Sequence, residues 1–364
     1  MSKINDLIKE LCPHGVEYKK LAELLDYVQP GKYIVKSTNY DDGYIIPVLT
    51  AGQTFILGYT DEQDDVYYAS KDKPVIIFDD FTTSNHWVDF NFKVKSSAMK
   101  MLIPKTSDVF KYIYYCINNI NYRPKEHSRQ WIQIFSQFAI PIPPIEVQEE
   151  IVRILDKFGE LEAELEAELE ARRSQYEFWS GKLLRNNKFN FVKIDDIAIN
   201  VSSGKCSNRN KYGLYPVYGS TGIISRTNDY LYDTEKLLIA RVGANAGFVH
   251  IAKGKYNVTD NALIVDLKNN VSLKFLYYYL QDYNLNKLAK GGGQPLITGG
   301  QVKELKIPVP SLKEQKRIVN ILDKFDKLVN DISEGLPAEI EARRKQYEYY
   351  RNKLLSFEEL KINE

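Results

Sequence analysis

The chain has 364 residues, of which 49 are Lys or Arg and 48 are Asp or Glu, so its formal net charge is +1. This balance excludes a uniformly basic nucleic-acid-binding protein, although basic residues can still be gathered in one segment. Hydrophobic residues make up 44% of the sequence, which excludes wholesale disorder. At about 100–200 residues per domain, the length predicts two domains.

The first predicted element is an amphipathic helix in MSKINDLIKEL, which lacks the apolar stretch of a signal peptide. We therefore expect a cytoplasmic protein. No apolar run approaches the roughly 18 residues needed to span a bilayer, so we expect no membrane partner. Three isolated cysteines and four scattered histidines lack the spacing of a disulfide framework or a metal site, and we expect no bound metal.

Short runs rich in Tyr, Val and Ile then predict strands in two modules, residues 1–144 and 186–306. The clearest predicted strands are Tyr44–Leu49, Val75–Phe78, Leu237–Ile239, Phe248–Ile251 and Ala262–Val265. A helix is predicted late in each module, near Val109–Ile117 and near Ser272–Leu280. Mixed strands and helices in this order are typical of two α+β modules.

Each module is followed by a nearly identical segment, and this internal repeat is the most informative feature of the chain. Residues 140–161 read IPIPPIEVQEEIVRILDKFGEL, and residues 307–328 read IPVPSLKEQKRIVNILDKFDKL. The identity resumes at ARRSQYE and ARRKQYE, which begin at Ala171 and Ala342. The second copy has four extra residues before that point.

The two repeated segments predict long helices, over 145–185 and 307–364, because their apolar residues recur three and four positions apart. Gly335 and Pro337 predict a break in the second helix. Two matching apolar stripes in one chain most simply pack antiparallel on each other. The sequence therefore predicts an α+β fold, with two α/β modules separated by two long antiparallel helices. These helices would form a coiled-coil-like spacer with pseudo-twofold internal symmetry.

Charge is distributed unevenly along the chain. Residues 186–306 contain 16 basic and 9 acidic side chains, a net charge of +7, whereas residues 1–144 have a net charge of −1. The second module is therefore basic enough to follow a phosphate backbone. In the first module the acidic pair Asp79 and Asp80 is predicted to lie in a solvated loop that faces away from any DNA.

Motifs of cofactor-dependent catalysis are absent from the sequence. It contains no GxGxxG after a strand, no GxxxxGK[ST], no Gly-x-Ser-x-Gly and no Asn/Asp-Pro-Pro-Tyr/Phe motif of adenine methyltransferases. We therefore expect a binding protein with no catalytic residues of its own.

Loops in both modules contain side chains suited to DNA. Arg and Lys pair with O6 and N7 of guanine, and Asn and Gln pair with N6 and N7 of adenine. The candidates in the first module are Gln53, Thr54, Asn85, His86, Arg123, Lys125, His127, Arg129 and Gln130. The candidates in the second module are Ser203, Lys205, Asn208, Arg209, Lys211, Ser220, Thr221, Arg226, Arg241, Asn245, Lys290 and Gln294. The clusters at 123–130 and 205–211 are the strongest.

The repeated motif, I-P-[IV]-P-[PS]-x-x-x-Q followed by I-V-x-I-L-D-K-F, resembles the DNA specificity (S) subunit of type I restriction-modification enzymes. The opening LCPHGVEYKKL is also similar to that family's usual start, and the resemblance covers essentially the whole chain. It implies that each module is a target-recognition domain that reads one half of a bipartite, asymmetric DNA site through the major groove. It also implies that the helices set the spacing between the half-sites.

The same resemblance implies the partners, which are double-stranded DNA, two modification (M) methyltransferase subunits docked on the helices, and two restriction (R) subunits. S-adenosylmethionine, ATP and magnesium are then expected on the partner subunits, with no cofactor on this chain. Exposed apolar helix surface further predicts that the isolated chain can form a homodimer.

A four-residue repeat, LEAELEAELEA at residues 161–171, lies in the first long helix. Four helical residues rotate by about 400°, a net turn of ~40°. This turn is close to the ~35° between neighbouring base pairs. Our hypothesis is that the number of units sets the spacer between the half-sites. A generic helical filler is the alternative.

Two other functions remain open from the sequence. A stand-alone structural coiled-coil scaffold would show no salt-dependent duplex binding. A fused restriction-methyltransferase, or a fragment of one, would require a cofactor motif.

Overall fold

The computed structural model describes residues 2–52, 54–185, 188–291, 295–331 and 333–360. The chain divides into two compact units. Unit 1 comprises Met1–Glu164 and Glu341–Glu364, and unit 2 comprises Leu165–Ile340. The predicted helical segments 145–185 and 307–364 therefore each contribute to both units. No helix among the described residues is long and apolar enough to cross a membrane.

Unit 1 has nine strands in three sheets among its described residues. The strands are β1 (Glu17–Lys20), β2 (Leu25–Val28), β3 (Ile46–Leu49), β4 (Ile56–Thr60), β5 (Val75–Asp79), β6 (Asn85–Val88), β7 (Lys93–Val94), β8 (Met99–Pro104) and β9 (Ala139–Ile142). The sheets have the strand orders β2-β8-β5-β6, β4-β3-β7 and β1-β9. The pairing is antiparallel except between β3 and β7.

Unit 2 repeats this plan. Its strands are β10 (Phe191–Lys193), β11 (Ala198–Ser203), β12 (Tyr215–Gly219), β13 (Gly222–Thr227), β14 (Lys236–Ala240), β15 (Val249–Ala252), β16 (Asn257–Val258), β17 (Ala262–Leu267) and β18 (Lys306–Pro308). The sheets have the orders β11-β17-β14-β15, β13-β12-β16 and β10-β18, and only β12 and β16 pair in parallel. The internal repeat in the sequence is therefore a repeat of the whole sheet topology.

Helices and short turns complete both units. The helices are α1 (Ser2–Leu11), α2 (Leu21–Leu24), α3 (Phe110–Asn119), α4 (Ile145–Leu184), α5 (Ile194–Ile197), α6 (Leu273–Tyr283), α7 (Gly299–Glu304), α8 (Leu312–Asn330) and α9 (Leu336–Leu354). Short 3-10 helices cover Pro30–Tyr33, Phe135–Gln137 and Leu285–Leu288. The predicted strands and the two predicted module helices, now α3 and α6, are all found within a few residues of their expected bounds. The α+β fold with a long helix between two domains is confirmed.

The second repeated segment is broken as the sequence predicts. Helix α4 runs unbroken for 40 residues, whereas its counterpart ends at Asn330 and resumes at Leu336. Gly335 lies so close to the end of α8 that a Cβ atom there would sit 2.5 Å from the carbonyl oxygen of Lys327. The four extra residues of the second copy fall in the stretch that contains this connection.

The long helices contact each other within each unit, and in unit 1 their paired residues run in antiparallel order. In unit 1, the ring of Phe158 on α4 lies 5.6 Å from that of Tyr350 on α9, and Arg344 of α9 pairs with Glu162 one turn further along α4 at 2.5 Å. In unit 2, the ring of Tyr176 on α4 lies 6.2 Å from that of Phe325 on α8. The matching apolar stripes thus contact each other, as the sequence predicts.

The repeated glutamine of the motif fastens each long helix to its module. In unit 1, the buried amide of Gln148 donates to the carboxylate of Asp108 at 2.9 Å and accepts from the backbone N–H of Val109 at 2.9 Å. In unit 2, Gln315 accepts from the backbone N–H of Ser272 at 2.7 Å. Both contacts lie at the start of the module helix, α3 or α6, so the glutamine fixes where that helix begins.

The repeated aspartate of the motif, about two helical turns after the glutamine, holds the same module helix. Asp156 accepts hydrogen bonds from Tyr115 and Lys111 of α3. Asp323 accepts from Tyr278 and Lys274 of α6, both at 2.6 Å. Burial and the neighbouring aspartate raise the pKa of both tyrosines, so each remains a hydrogen-bond donor at neutral pH. We call each set of one Tyr, one Asp and one Lys a clamp. Each clamp joins the module helix to the long helix through side-chain hydrogen bonds.

The C-terminal segment returns to the opening of the chain in unit 1. The backbone N–H of Val16 donates to Glu358 at 2.9 Å, and Leu360 donates back to Val16 at 2.9 Å. Gly15 has φ +92°, and a Cβ atom there would lie 2.4 Å from the carbonyl oxygen of Glu358. Only glycine therefore fits this close approach without strain.

Candidate nucleic-acid interface

A buried carboxylate organises the loops at one end of the unit 1 sheet. Asp80 follows β5 and is 1% exposed. Its side chain accepts from the backbone N–H of Trp131 at 2.9 Å, pairs with Arg129 at 3.4 Å and lies 3.9 Å from Lys100. Its carbonyl oxygen accepts from the N–H of Gln130 at 2.8 Å. The segment 122–131 is thereby folded onto the turn that follows β5.

The prediction that Asp79 and Asp80 lie in a solvated loop is wrong. Both are buried. Asp79 accepts from the backbone N–H groups of Phe81 at 2.7 Å and Thr82 at 3.0 Å, which closes the turn. These carboxylates hold the loops in shape, and their charge is compensated inside the protein.

The predicted basic cluster of unit 1 is exposed on this folded segment. Its exposed members are Arg123, Lys125, His127 and Arg129. The ring of His127 stacks on Phe81 at 4.6 Å, which ties the cluster to the turn. Gln130 differs from the prediction because it is buried. Its amide donates to Ser128 at 2.7 Å and accepts from Tyr122 at 2.8 Å, so it supports the loop and presents no group to a base.

The remaining candidates of unit 1 lie beside this turn. Thr54 is exposed in the loop between β3 and β4, while Gln53 lies outside the described residues. The ring of His86 stacks on Phe55 at 4.1 Å, and burial lowers the pKa of His86. Asn85 is half-buried, and its Oδ1 has no hydrogen-bond partner among the described residues. The loops at residues 50–52, 54–55, 79–86 and 122–131 thus form one continuous surface, which we call tip 1.

Unit 2 builds the corresponding surface with a different chemistry. The turn after β14 begins at Arg241, whose carbonyl oxygen accepts from the N–H of Ile297 at 2.8 Å. The side chain of Asn286 donates to Ala246 at 2.9 Å. Residues 284–291 and 295–297 are thus folded onto this turn. Arg241 is half-buried, and its Nε has no hydrogen-bond partner among the described residues.

Two further predicted residues lie on these segments. Asn245 is exposed and borders a cavity of about 340 Å³ beside the turn. Lys290 is exposed, and its backbone pairs with Leu296 at 3.0 Å. Gln294 lies outside the described residues.

The second basic cluster lies on a loop that is anchored at intervals to the sheet. The backbone N–H groups of Gly204, Cys206 and Asn210 donate to Ala262, Val258 and Arg226, at 3.1, 2.9 and 2.7 Å. The predicted residues on this loop are exposed; they are Lys205, Asn208 and Arg209, between the anchors, and Lys211, directly after the last one. Ser203 is half-buried where β11 ends. The loop therefore presents its cations outward on a fixed backbone.

The hairpin of β12 and β13 contains the last three candidates. Ser220 and Thr221 form its turn, half-buried and exposed respectively. Arg226 differs from the prediction because its guanidinium donates to the carbonyl oxygens of Gly213 and Leu214, both at 2.6 Å. Arg226 therefore closes the preceding loop and has a structural role. We call the loops at residues 203–211, 219–222, 241–248, 284–291 and 295–297 tip 2.

The two tips differ in charge at one shared backbone position. The N–H of Asp80 donates to Ala98, and that of Arg241 donates to the corresponding residue, Asn261, at 3.1 and 3.0 Å. Both carbonyl oxygens accept from the segment folded over them. Unit 1 thus has a buried anion where unit 2 has a half-buried cation, which contributes to the difference in net charge between the modules.

The structure also identifies a residue that the sequence analysis missed. His250 pairs with Leu238 as His86 pairs with Ile77, so the two histidines occupy the same place in the duplicated sheet. The ring of His250 contacts that of Phe248 at 4.7 Å, and burial lowers the pKa of His250. No motif marks this residue, and only the register between the two units relates it to His86.

Exposed cations on loops fixed to a rigid sheet are suited to phosphates and base edges. Both tips have this arrangement. Among the described residues, no group of three or more His, Cys, Asp and Glu side chains is placed to hold a metal ion.

Comparison with known proteins gives one consistent result. The family model for the type I restriction modification DNA specificity domain matches residues 13–171 and 186–342. The specificity subunit of the Escherichia coli type I restriction enzyme EcoR124I/EcoR124II is 41% identical and is matched over 98% of both chains.

Solved structures show the same fold. The S subunit of a type I restriction-modification system from M. genitalium superposes with a TM-score of 0.62 at 15% identity, covering 94% of this chain and 96% of that one. A structure titled for complex assembly and conformational transition of the type I R-M system has a TM-score of 0.59 at 13% identity, covering 94% and 97%.

Proposed function

Because the chain belongs to the family of type I restriction-modification specificity subunits, with two target-recognition domains, we propose how it divides its work. Tip 1 and tip 2 each read one half of a bipartite, asymmetric DNA site through the major groove. The chain contributes no catalytic group, and methylation and cleavage take place on partner subunits. The observation that carries this proposal is the repetition of one frame with different side chains at its two tips.

A shared frame with different tips is the arrangement that an asymmetric site requires. Two copies of one sheet present loops in the same place, so each copy can approach a groove in the same way. Arg241 and the cations of loop 203–211 give tip 2 different donors from those of tip 1, where Asp80 holds Arg129. Different donors favour different bases.

The long helix is proposed to measure the distance between the half-sites. Residues 145–185 have a net charge of −5, so this segment is unsuited to contact a phosphate backbone. The LEAE units lie within the unbroken α4, where adding or removing one unit turns whatever follows by ~40°. Deletion of Leu165–Glu168 is therefore expected to change the spacer of the methylated sequence. An unchanged spacer would leave the repeat as a generic helical filler.

The helices are also proposed to dock two copies of one modification subunit. Equivalent apolar residues are exposed in both copies of the motif, with Leu161 and Leu328 each 38% exposed. Further along, Phe178 and its counterpart Tyr349 are 62% and 61% exposed. In unit 1, Ile154 and Phe158 help to line a cavity of about 270 Å³. An apolar surface repeated in this way fits two identical partners. In the isolated chain it favours a homodimer.

Cofactors then belong to the partners. S-adenosylmethionine is expected on the two M subunits, and ATP and magnesium on the complex that includes two R subunits. Double-stranded DNA is the ligand that this chain itself contacts, in the cytoplasm. Duplex affinity should fall steeply with salt, because contacts to phosphates release counterions.

The test is to co-express this chain with a modification subunit and to map methylated adenines in the host DNA by single-molecule sequencing. The proposal predicts two short defined sequences separated by a spacer of fixed length. A continuous sequence, or methylation that does not depend on this chain, would contradict it. A structural scaffold would show no salt-dependent duplex binding in the same preparation.

A further inference from the structure

Unit 2 contains a cleft of about 360 Å³ where β15, α6 and α8 meet. Its lining combines aromatic rings, two carboxylates and the ammonium group of Lys274, which is paired with Asp323 at 2.6 Å. The residues that matter for its chemistry are Tyr218, His250, Ile251, Tyr277, Asp323 and Asp326. A volume of this size accommodates a side chain of a partner.

Unit 1 fills the corresponding place with its own side chain. Ile251 pairs with Leu237 as Trp87 pairs with Ile76, so Trp87 is the unit 1 counterpart of Ile251. The Trp87 ring packs on Tyr114 at 5.6 Å, and Tyr114 is the counterpart of Tyr277. The smaller Ile251 leaves this surface uncovered in unit 2.

Two polar groups of the cleft lining, His250 and Asp326, allow hydrogen bonding to a ligand in addition to packing. Nε2 of His250 is buried and has no hydrogen-bond partner among the described residues. Because burial lowers the pKa of His250, the ring is neutral at pH 7 and one of its nitrogens can accept a hydrogen bond. A buried acceptor without a donor costs about 1–3 kcal/mol, which a bound donor would recover.

The cleft also has negative charge that unit 1 lacks. Asp326 lies one turn before Asn330, whose amide donates to it at 2.9 Å, and the unit 1 counterpart of Asp326 is Gly159. Burial and Asp326 together raise the pKa of Tyr277. Asp323 is already occupied by Tyr278 and Lys274. Asp326 is therefore the carboxylate that is left for a ligand.

We propose that this cleft binds the guanidinium group of an arginine from the modification subunit. A guanidinium is planar, stacks on aromatic rings and has five N–H donors and no acceptor. The tyrosine rings, the carboxylate of Asp326 and the nitrogen of His250 match these three properties. A DNA phosphate would be repelled by Asp326. The inference rests on the proposed assembly with a modification subunit, and it makes the two docking surfaces unequal.

The test uses two variants of the full-length chain. Ile251→Trp fills the cleft with the side chain that unit 1 already uses. Asp326→Asn removes the charge while keeping an acceptor for Asn330. Affinity for the purified modification subunit is measured by isothermal titration calorimetry, together with the melting temperature of each variant. Ile199→Trp and Asp229→Asn are the controls, at exposed positions of unit 2 outside the cleft lining.

Both variants are expected to weaken binding by about tenfold, which is a loss of about 1.4 kcal/mol, and the controls to leave it within about twofold. Added N-acetylarginine amide should compete with the modification subunit, and N-acetylcitrulline amide should not. If Ile251→Trp lowers the melting temperature, its weaker binding could come from destabilisation. The affinity measured for Asp326→Asn then tests the inference.

Wild-type affinity in both cleft variants would overturn the inference and leave the proposed function standing. Absence of binding by the wild-type chain would overturn the proposed function, and this inference with it.

Discussion

The two tips have the same backbone arrangement but differ in the charge and burial of their side chains. Asp80 and Arg241 have the same backbone hydrogen bonds, yet the first is a buried anion that gathers Arg129 and Lys100, and the second is a half-buried cation. In unit 1 the buried carboxylate is therefore matched by Lys100 inside the protein and by Arg129, whose side chain is 53% exposed, at the surface. In unit 2 the guanidinium of Arg241 donates to the carbonyl oxygen of Asp260 at 3.4 Å and has no carboxylate partner among the described residues. The difference indicates that loop shape depends on backbone pairing and that reading chemistry depends on the side chains.

The clamps and the repeated glutamines show what the two units have in common. Gln148 and Gln315 make the same contact with the start of a module helix, and Asp156 and Asp323 hold the same Tyr and Lys partners. Identity between the copies thus marks residues that hold the frame. Differences between them mark residues that can contact different bases.

The largest expected effect is on the stability of unit 1. Asp80→Ala would leave Lys100, which is 2% exposed, without its charge partner, and would leave the N–H of Trp131 without an acceptor. Loss of one partner from a buried pair costs about 3–5 kcal/mol in the free energy of unfolding. Urea unfolding followed by tryptophan fluorescence measures it, with the exposed Asp72→Ala as control. If Asp80→Ala lowered the free energy of unfolding by less than Arg241→Ala does, the proposed contrast between a structural anion in tip 1 and a ligand-binding cation in tip 2 would be contradicted.

The next effect tests whether the clamps are equivalent. Asp156→Ala and Asp323→Ala each leave a buried tyrosine hydroxyl without its acceptor, so each should lower the free energy of unfolding by about 1–3 kcal/mol. The values are to be compared in paired urea titrations. If only one of the two variants had a lower free energy of unfolding, the two clamps would share residues without making equal contributions to stability.

A smaller effect is expected where unit 1 receives its C-terminal segment. Gly15→Ala places a Cβ atom 2.4 Å from the carbonyl oxygen of Glu358 and forces a non-glycine residue to φ +92°. A strained residue of this kind costs about 1–3 kcal/mol. Hydrogen exchange at the amides of Val16 and Leu360 should accelerate, while exchange in α6 of unit 2 stays unchanged. Unchanged exchange at Val16 would mean that the segment does not depend on this approach.

The smallest effect concerns pH. Burial lowers the pKa of His86 and His250 below the usual 6.5, so the folded state favours their neutral forms. Their contribution to stability is complete above pH 6.5 and is lost as the pH falls below it, because the unfolded chain then binds more protons. The double variant His86→Gln/His250→Gln should therefore lose less stability between pH 7 and 5 in urea titrations. An identical pH dependence would show that both rings protonate freely in the folded chain.

The frame could be predicted from the sequence, but the tips could not. Two copies of I-V-x-I-L-D-K-F reveal residues that must make the same contacts, and the break at Gly335 follows from glycine and proline chemistry. The burial of Asp80 depends on a segment 51 residues away that folds over it, and no local pattern records that contact.

The same limit applied to single candidates. Gln130 and Arg226 have side chains suited to DNA, but each is used by the protein to close its own loop. His250 could be found only after the strand register was known. DNA contacts by the exposed cations at 123–129 and 205–211 stay a prediction.

The most direct test of the account is to compare the methylated sequences produced with Arg129→Ala and with Arg241→Ala, each co-expressed with the modification subunit. If each tip reads its own half-site, each variant relaxes one half of the bipartite sequence, a different half in each case, and leaves the spacer unchanged. Relaxation of both halves by either variant, or of the same half by both, would contradict the claim that the two tips read separately.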